Sequence, residues 1–326
     1  SPFIFPAAPP DDAFGRVPVG TSQVEGRDRR EMGSQFFYGG QAVIEGVLIR
    51  GRDSVGMAVR CTDGGIWTDL LPLSKVYTGR LRTIPLVRGI IVLVETLMLG
   101  VGALNRSAEI AMSPPESRVS EFGLPSKPSK AERGVMAGTM ALALVFGVGI
   151  FFLLPLLGAR SLDALVASSL VSNLIEGLVR LLLLVGYIWG IGHLRDIQRV
   201  FAYHGAEHMT IHAHEHGLAL ERDQIQRFST AHPRCGTAFL LTVVVVSILV
   251  FSLLGRPPIL LAILSRVALV PIIAAVSYEA IRFSGAHSRN PLARFMMLPG
   301  LALQRLTTRQ PDASQIEVAV AAMKIT

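Results

Sequence analysis

The chain is short of charge, aromatic residues and cysteine. Only 17% of its 326 residues are charged and 7% are aromatic, whereas half are hydrophobic. This balance is too apolar for an ordinary soluble domain of this length and indicates a membrane protein. The two cysteines, Cys61 and Cys235, are too few for a disulfide framework, and neither lies in a CxxC pair. A disulfide-stapled secreted scaffold is therefore excluded.

The pattern of a secretory signal is also missing from the first residues. Residues 1–20 show no basic start followed by a continuous apolar stretch and a small-residue cleavage site. We therefore predict that residues 1–34 form a disordered tail.

Four apolar segments are long enough to cross a bilayer. Their approximate bounds are 135–158, 177–194, 236–254 and 259–281. A fifth apolar segment, 84–104, carries Arg88 and Glu95 and is more ambiguous.

The basic residues predict the orientation of these segments. Lys and Arg concentrate in 1–83, 105–134, 193–235 and 282–326, whereas the connections 159–176 and 255–258 hold only Arg160 and Arg256 outside the spans. If 84–104 does not cross, all basic stretches and both termini lie on one side, which the positive-inside rule identifies as the cytoplasm. We therefore predict that 84–134 forms a re-entrant or interfacial helical hairpin and a linker, with Gly89, Gly100 and Gly102 easing its bends.

A few charged residues lie inside the apolar segments. Glu176 and Arg180 are spaced as an i,i+4 pair near the interface. Arg266 lies in the last segment and is predicted to extend toward the outer face. The net charge of +7 indicates contact with anionic lipid rather than with a specific nucleic acid.

Residues 35–83 have a different pattern. Their short β-branched runs, GGQAVIEGVLIRG, VGMAVRCTDG and GIWTDLLPLS, are separated by glycine pairs and Asp-Gly. They predict a small cytoplasmic antiparallel β meander, with a hairpin turn at 63–65, that packs on the membrane domain or on the 84–104 helix. Its polar residues are candidates for a site or ordinary positions of a half-exposed sheet: Tyr38, Gln41, Glu45 and Arg50.

The predicted fold is therefore a mainly α-helical polytopic membrane protein with a small N-terminal β meander. Residues 135–326 form its four-span helical domain, which carries a cytoplasmic His-rich loop at 195–235.

That loop holds the densest group of polar chemistry. The stretch YHGAEHMTIHAHEHG at 203–217 contains five of the eight histidines. On a helix, His204 and His208 lie one turn apart on one face and can bind one metal ion. Glu207 flanks that face as a candidate general base. The segment HPRCG adds His232 and Cys235 just before the 236–254 span, and a thiolate with imidazoles suits Zn²⁺.

Other groups are weaker candidates for this site. Glu215 shares the helix face but lies about 10 Å along the axis from His208, too far for the same ion without a bend. Glu279, near the cytoplasmic end of the last span, is a further carboxylate. The same histidines could instead only hydrogen-bond neighbouring loops, with Cys235 as a packing residue.

The blocks GGQAVIEGVLIRG, YHGAEH and HPRCGT, in this order between apolar segments, resemble the YqhQ-like bacterial membrane proteins. The resemblance runs from about Gly39 to Arg282 and implies a domain of unknown function that is described as a predicted metal-dependent enzyme. Where that family continues toward a Tyr-Glu pair, this chain has His214 and Glu215. The histidines His212, His214 and His216 are therefore predicted to be solvated and outside the shared chemistry.

Two classes of function follow from the sequence. The first is a protein of the bacterial inner membrane with a cytoplasmic-face zinc site, acting as a metal-dependent hydrolase on a membrane-associated substrate. The second is a non-enzymatic scaffold or assembly factor that docks a membrane protein complex through its β domain and basic loops. A conduit for a small solute or lipid is less compatible with the chain, since no internal repeat is present.

Overall fold

A computed structural model describes residues 38–73, 84–112 and 130–326, apart from residues 164, 167, 234, 288 and 289. The predicted tail at 1–34 and the linker residues 113–129 lie outside the described residues.

The predicted β meander is confirmed as a four-stranded antiparallel sheet. Its strands are β1 (Gly39–Val43), β2 (Gly46–Arg50), β3 (Ser54–Arg60) and β4 (Ile66–Pro72), paired in the order β1-β2-β3-β4. The predicted turn at 63–65 joins β3 to β4: Gly64 has φ +83°, a conformation that glycine adopts without steric cost, and Asp63 accepts a hydrogen bond from the Gly65 amide at 3.0 Å.

Both faces of the two central strands, β2 and β3, are buried, whereas the edge strands β1 and β4 are half-exposed, as the sequence suggested. Three helices cover the faces: α1 (Val87–Met112), α5 (Arg195–Glu215) and α11 (Ala313–Ile325). Val47, Ile49 and Ala58 pack on α5 and α11 in one core. The alternate residues, including Leu48 and Met57, pack on the second half of α1 in another core. The period of two along each strand therefore places apolar side chains on both faces.

The hairpin predicted for 84–104 is wrong, because these residues belong to the single continuous helix α1. Two of its three glycines, Gly89 and Gly100, are contact points rather than bends, whereas nothing lies within 4 Å of a Cβ added to Gly102. A Cβ added to Gly89 would lie 2.9 Å from the Ala275 Cα, and one added to Gly100 would lie 2.5 Å from the Gln41 Oε1. That α1 lies at the interface instead of crossing stays a prediction, favoured by the packing of its second half on the sheet.

The remaining helices form the apolar part of the chain. They are α2 (Lys130–Val148), a π-helical turn (Gly149–Leu153), α3 (Leu154–Ser161), α4 (Ser169–Ile191), α6 (Arg222–Ile225), α7 (Gly236–Leu253), α8 (Ile259–Ala268), α9 (Val270–Ala286) and α10 (Pro291–Thr307).

Several helices are long and apolar enough to cross a membrane. Over the described residues these are α1, the stretch Ala137–Ser161, α4 and α7. The segment predicted as one span at 259–281 is instead the pair α8 and α9, bent by 46°. Pro271 at the start of α9 accounts for the break, since proline cannot donate the helical hydrogen bond. These lengths and compositions fit a membrane protein.

Three of the charged residues inside the apolar segments, Glu176, Arg180 and Arg266, meet in one buried cluster. Glu176 accepts a hydrogen bond from Arg180 at 2.6 Å and another from Arg266 at 2.6 Å. The Arg180 Nε also donates to the Phe151 carbonyl at 2.7 Å, within the π-helical turn. The prediction that Arg266 extends outward is wrong, because its side chain is only 2% exposed and its guanidinium lies 4.5 Å from the Phe251 ring.

The two connections that are poor in basic residues lie together at one end of the helices. Arg256 donates to the Val166 carbonyl at 2.6 Å, and Asn173 donates to the Gly255 carbonyl at 3.1 Å. Arg160 donates to the Pro257 carbonyl. The sheet and α5 lie at the other end, beyond the start of α7.

The predicted boundary at 135 divides residues that share one core. The last helix, α11, begins with a capping box of Asp312 and Gln315 and packs on β2, β3 and α5. The sheet, the His-rich helix and the C-terminal helix are therefore one α/β unit built from three distant parts of the chain.

Candidate metal centre

The His-rich stretch lies on α5, between the sheet and the start of α7. Gly205 allows the close packing of this helix, because a Cβ there would lie 2.1 Å from the Arg309 carbonyl oxygen. The helix thus presents His204 and His208 on one face, as their spacing predicts.

The structure brings His204, His208 and Cys235 together. Each residue offers one ligand atom, and these three atoms lie within 4.8 Å of one another. The His204 Nε2 is 3.1 Å from the Cys235 Sγ. Ligands of a tetrahedral zinc ion are about 3.5 Å apart, given bond lengths of about 2.0 and 2.3 Å. The donor set and its spacing therefore fit a zinc ion.

Backbone carbonyls orient both imidazoles. The Nδ1 of His204 lies 2.9 Å from the Thr307 carbonyl oxygen, and the Nδ1 of His208 lies 2.6 Å from that of Thr230. A carbonyl only accepts, so each Nδ1 carries the proton and each Nε2 keeps its lone pair. Metal-binding histidines are held by this type of contact. The lone pairs are thus directed to the centre.

Cys235 caps the N-terminus of α7. Its sulfur accepts a hydrogen bond from the Thr237 amide at 3.4 Å and contacts the Thr237 hydroxyl at 3.1 Å. Burial alone would raise the pKa of the thiol, but the neighbouring His208 imidazole and the hydrogen bonds from Thr237 bring that pKa below its ordinary value. The position therefore favours the thiolate, which is the form that binds metals.

His208 is buried and stays neutral. Burial lowers the pKa of its imidazole to about 4, and the negative charge of the Cys235 thiolate opposes this effect. At neutral pH its Nε2 is therefore free of a proton, as a metal ligand must be.

Glu207 lies next to the centre with an unused oxygen. The side chain is 3% exposed, and its Oε2 has no hydrogen-bond partner among the described residues. Burial raises the pKa of this carboxyl to about 8. Gly40 on β1 makes room for it, because a Cβ there would lie 2.7 Å from the Glu207 carboxyl carbon. A buried carboxylate without a partner is costly, and such a group indicates a functional site.

His232 lies beside the three grouped residues but outside them. Gln304 holds its backbone through two hydrogen bonds of 2.7 and 2.9 Å. Its ring centroid is 5.5 Å from that of His208, and its Nε2 is 3.7 Å from the Glu215 Oε2. Glu215 thus contacts His232. A role for His232 as a ligand stays a prediction.

The prediction of three solvated histidines holds only for His216. His212 is half-buried: its Nε2 contacts the Ala231 carbonyl at 3.0 Å and its ring stacks on Phe228. His214 is half-buried with its ring 4.8 Å from that of Tyr38. The prediction was wrong for these two because the sheet and residues 228–231 cover this part of α5.

A cavity of about 320 Å³ opens from the centre. Glu207, His208, His232 and Cys235 line its polar end, together with residues of β1, β2, α1, α7 and α9. Three of the candidates from the meander, Tyr38, Gln41 and Arg50, also line it. The fourth, Glu45, instead pairs with Arg199 at the surface.

The sequence did not reveal how Glu95 and Glu279 are used. Glu95 accepts a hydrogen bond from the Arg50 Nε at 2.6 Å, inside the cavity. Glu279 accepts one from the Arg88 Nε at 2.7 Å, so it belongs to an ion pair between α1 and α9 and not to the centre. The position of Glu95 within an apolar segment indicated a buried partner. The sequence did not identify that partner, because Arg50 on β2 is 45 residues away.

Comparison with known proteins shows the family of this chain. Residues 84–326 match the family described as "Protein of unknown function (DUF1385)". The chain is also 34% identical over 293 residues to a Bacillus subtilis (strain 168) protein described as "Uncharacterized protein YqhQ", covering 87% of this chain and 90% of that relative. The chain therefore belongs to this family, and the YqhQ-like resemblance is confirmed. No solved structure matches.

Proposed function

We propose that the protein is a zinc-dependent hydrolase of the bacterial inner membrane, acting on a membrane-associated substrate from the cytoplasmic face. The observation that carries this proposal is that candidate metal ligands and a candidate general base lie side by side. Two imidazoles, fixed by backbone carbonyls, face a thiol, and a buried carboxyl with an unused oxygen lies beside them. The family description itself supplies no activity.

The residues of the centre divide into candidate metal ligands and a candidate general base. His204, His208 and Cys235 would hold the ion, with His232 as a further candidate. A bound zinc ion would polarise a carbonyl group and make water more acidic. Glu207, once ionised, accepts a proton from a water molecule in the cavity and returns it to the leaving group. The apolar walls of the cavity keep other water away from that exchange.

The number of protein ligands supports catalysis over a structural role. Among the described residues three donors are grouped, which would leave the fourth position of a tetrahedral ion open unless His232 fills it, whereas structural zinc sites use four protein ligands. The cavity is lined by two of these three residues, His208 and Cys235.

Metal analysis of the purified full-length protein tests the candidate metal ligands. We expect about one zinc per chain, lost in the double variant His204→Ala plus His208→Ala. His216→Ala is the matched control, since His216 is an exposed histidine directly after the end of the same helix. A wild type without stoichiometric zinc would remove the enzyme proposal.

Cobalt substitution tests the open position. Binding of acetohydroxamate to the cobalt-loaded protein should change its visible absorption, because a chelator needs a free coordination position. An unchanged spectrum in a fully loaded sample would mean that protein groups fill the ion's coordination shell and that the site is structural.

The proposed orientation rests on the basic stretches and on the grouping of the two basic-poor connections at one end of the helices. A second cavity, of about 340 Å³, supports contact with anionic lipid. It lies where α4 ends, and Trp189, His193, Arg305 and Arg309 line it. Tryptophan and basic residues are typical of the membrane interface.

A scaffold that docks a partner complex is the alternative function, and the structure offers it less support. Both faces of the described sheet are covered by helices of the chain itself. A partner would therefore have to bind an edge of the sheet or the basic loops.

A further inference from the structure

The cavity at the metal centre passes around the edge of the sheet. Its lining includes Leu48 and Arg50, which face α1, as well as Glu207 and Ile211 on α5, which covers the opposite face. A cavity that touches both sides of a sheet has to pass its edge. That edge is β1, which pairs only with β2 among the described strands.

The edge of β1 presents free backbone groups to this cavity. Val43 pairs with Gly46 across a two-residue turn, so Val43 and Gln41 exchange hydrogen bonds with β2. The amides and carbonyls of Gly40 and Ala42 therefore point away from β2. No described residue outside the sheet hydrogen-bonds to them. Both residues are half-buried, so the edge is accessible yet partly screened from water.

Side chains around the edge add shape and charge. Val92, Leu93 and Phe239 form apolar walls. The Arg50 Nε is used by Glu95, whereas its two terminal nitrogens have no recorded bond to any described residue. The volume of about 320 Å³ holds about ten groups of the size of a water molecule. This matches a few residues of extended chain.

We propose that the substrate is a peptide segment in extended conformation, with apolar side chains and an acidic group, that pairs with the edge of β1. Addition of a strand to an exposed edge uses backbone hydrogen bonds for affinity and side-chain pockets for specificity. The edge leads directly to the centre, since Gly40 contacts Glu207. The paired segment places a peptide carbonyl beside His208 and Cys235, and Arg50 binds the acidic group. Hydrolysis then consumes one water and yields a carboxylate and an amine. This inference rests on the proposed hydrolase function.

Chelating probes test the inference on the zinc-loaded full-length protein in nanodiscs. Titration calorimetry compares acetyl-Asp-Leu-Leu hydroxamate with acetohydroxamate, with the same peptide N-methylated at its backbone, and with decanoyl hydroxamate. We expect the peptide to bind at least about tenfold more tightly than acetohydroxamate, and N-methylation to remove most of this gain.

One variant distinguishes the contribution of the β1 edge to peptide binding from that of the metal centre. Ala42→Pro removes the outward amide of β1 and should weaken the peptide probe by about tenfold. The matched control is Leu70→Pro on the opposite edge strand β4, which should bind the peptide as the wild type does. Zinc content is measured in both variants. If Ala42→Pro loses zinc, the N-methylated probe alone decides.

The outcomes are distinct. If acetohydroxamate does not bind the zinc-loaded protein, the proposed function fails and the inference falls with it. If acetohydroxamate binds but the peptide gains nothing, or its N-methylated form binds equally well, only the inference is overturned. Tightest binding of decanoyl hydroxamate would overturn it in favour of an acyl lipid substrate.

Discussion

At the scale of single residues, Glu207 and His208 oppose each other in their response to pH. Burial raises the pKa of Glu207 to about 8 and lowers that of His208 to about 4. The first shift makes the folded metal-free protein retain a proton that the unfolded chain loses above about pH 4.5. The second makes the unfolded chain bind a proton, below about pH 6.5, that the folded protein does not. Between about pH 4.5 and pH 6.5 the effects of Glu207 and His208 on stability therefore offset each other.

Above pH 6.5 the raised pKa of Glu207 lowers the stability of the metal-free protein as the pH rises toward 8, whereas the lowered pKa of Cys235 acts in the opposite direction. For Glu207, a difference of one bound proton between the folded and unfolded states over 1.5 pH units changes the free energy of unfolding by roughly 2 kcal/mol. Thermal unfolding in detergent with a chelator should show the Glu207 contribution as the difference in pH slope between the wild type and Glu207→Gln, because an amide does not titrate. An unchanged slope in that variant would assign the effect to another group.

The grouping of His204, His208 and Cys235 was predictable in part from residue patterns. The i,i+4 spacing on a helix and the H-x-x-C spacing before a span both indicated ligand pairs. The carbonyls of Thr230 and Thr307 that orient the imidazoles gave no sequence signal, since every residue has a carbonyl and only the fold selects these two.

At the scale of elements, helix α5 depends on one close approach. The backbone at Arg309 passes so near to Gly205 that a methyl group cannot fit without a shift. Gly205→Ala should therefore displace α5 or the 309 segment, lower the stability by about 1–3 kcal/mol and reduce the zinc content. The thermal midpoint and the zinc content measure both effects.

Gly190→Ala on α4 is the matched control, because nothing lies within 4 Å of a Cβ added there. It should retain zinc and stability. Equal losses in the two variants would show that the close contact at Gly205 is not the cause.

Element boundaries followed from the sequence only where local signals set them. The turn at Gly64 was predicted from Asp-Gly. The start of α4 at Ser169 was missed, because Asn173 and Glu176 suggested a polar loop. Glu176 is instead buried against Arg180 and Arg266, and Arg266 lies 90 residues away in the chain. The same applies to α1, in which Gly89 and Gly100 contact distant elements that the local sequence does not reveal.

At the scale of the whole molecule, the helices have a basic-poor end and an end that carries the α/β unit. A single cysteine at Leu165, which is 84% exposed, should react with an impermeant reagent from outside the cell. One at Ser314, in the α/β unit, should react only after permeabilisation. The native Cys61 and Cys235 are buried and contribute little background. Labelling of position 314 in intact cells would reverse the proposed orientation.

The assembly of the α/β unit was not predictable from the sequence. Its sheet, α5 and α11 come from the two ends and the middle of the chain, and their shared core involves Ile49, Tyr203 and Ala319. The C-terminal helix has short apolar residues that read equally well as part of a membrane domain. Only its contacts with strands that are distant in the sequence show that this helix packs on the sheet.

X-ray absorption at the zinc edge of the purified protein tests the central claim most directly. Our account predicts one zinc per chain, with a single sulfur ligand at about 2.3 Å and nitrogen or oxygen ligands at about 2.0–2.1 Å. The sulfur contribution should disappear in Cys235→Ser. A zinc shell without sulfur in the wild type, or a protein that binds no zinc, would contradict the account.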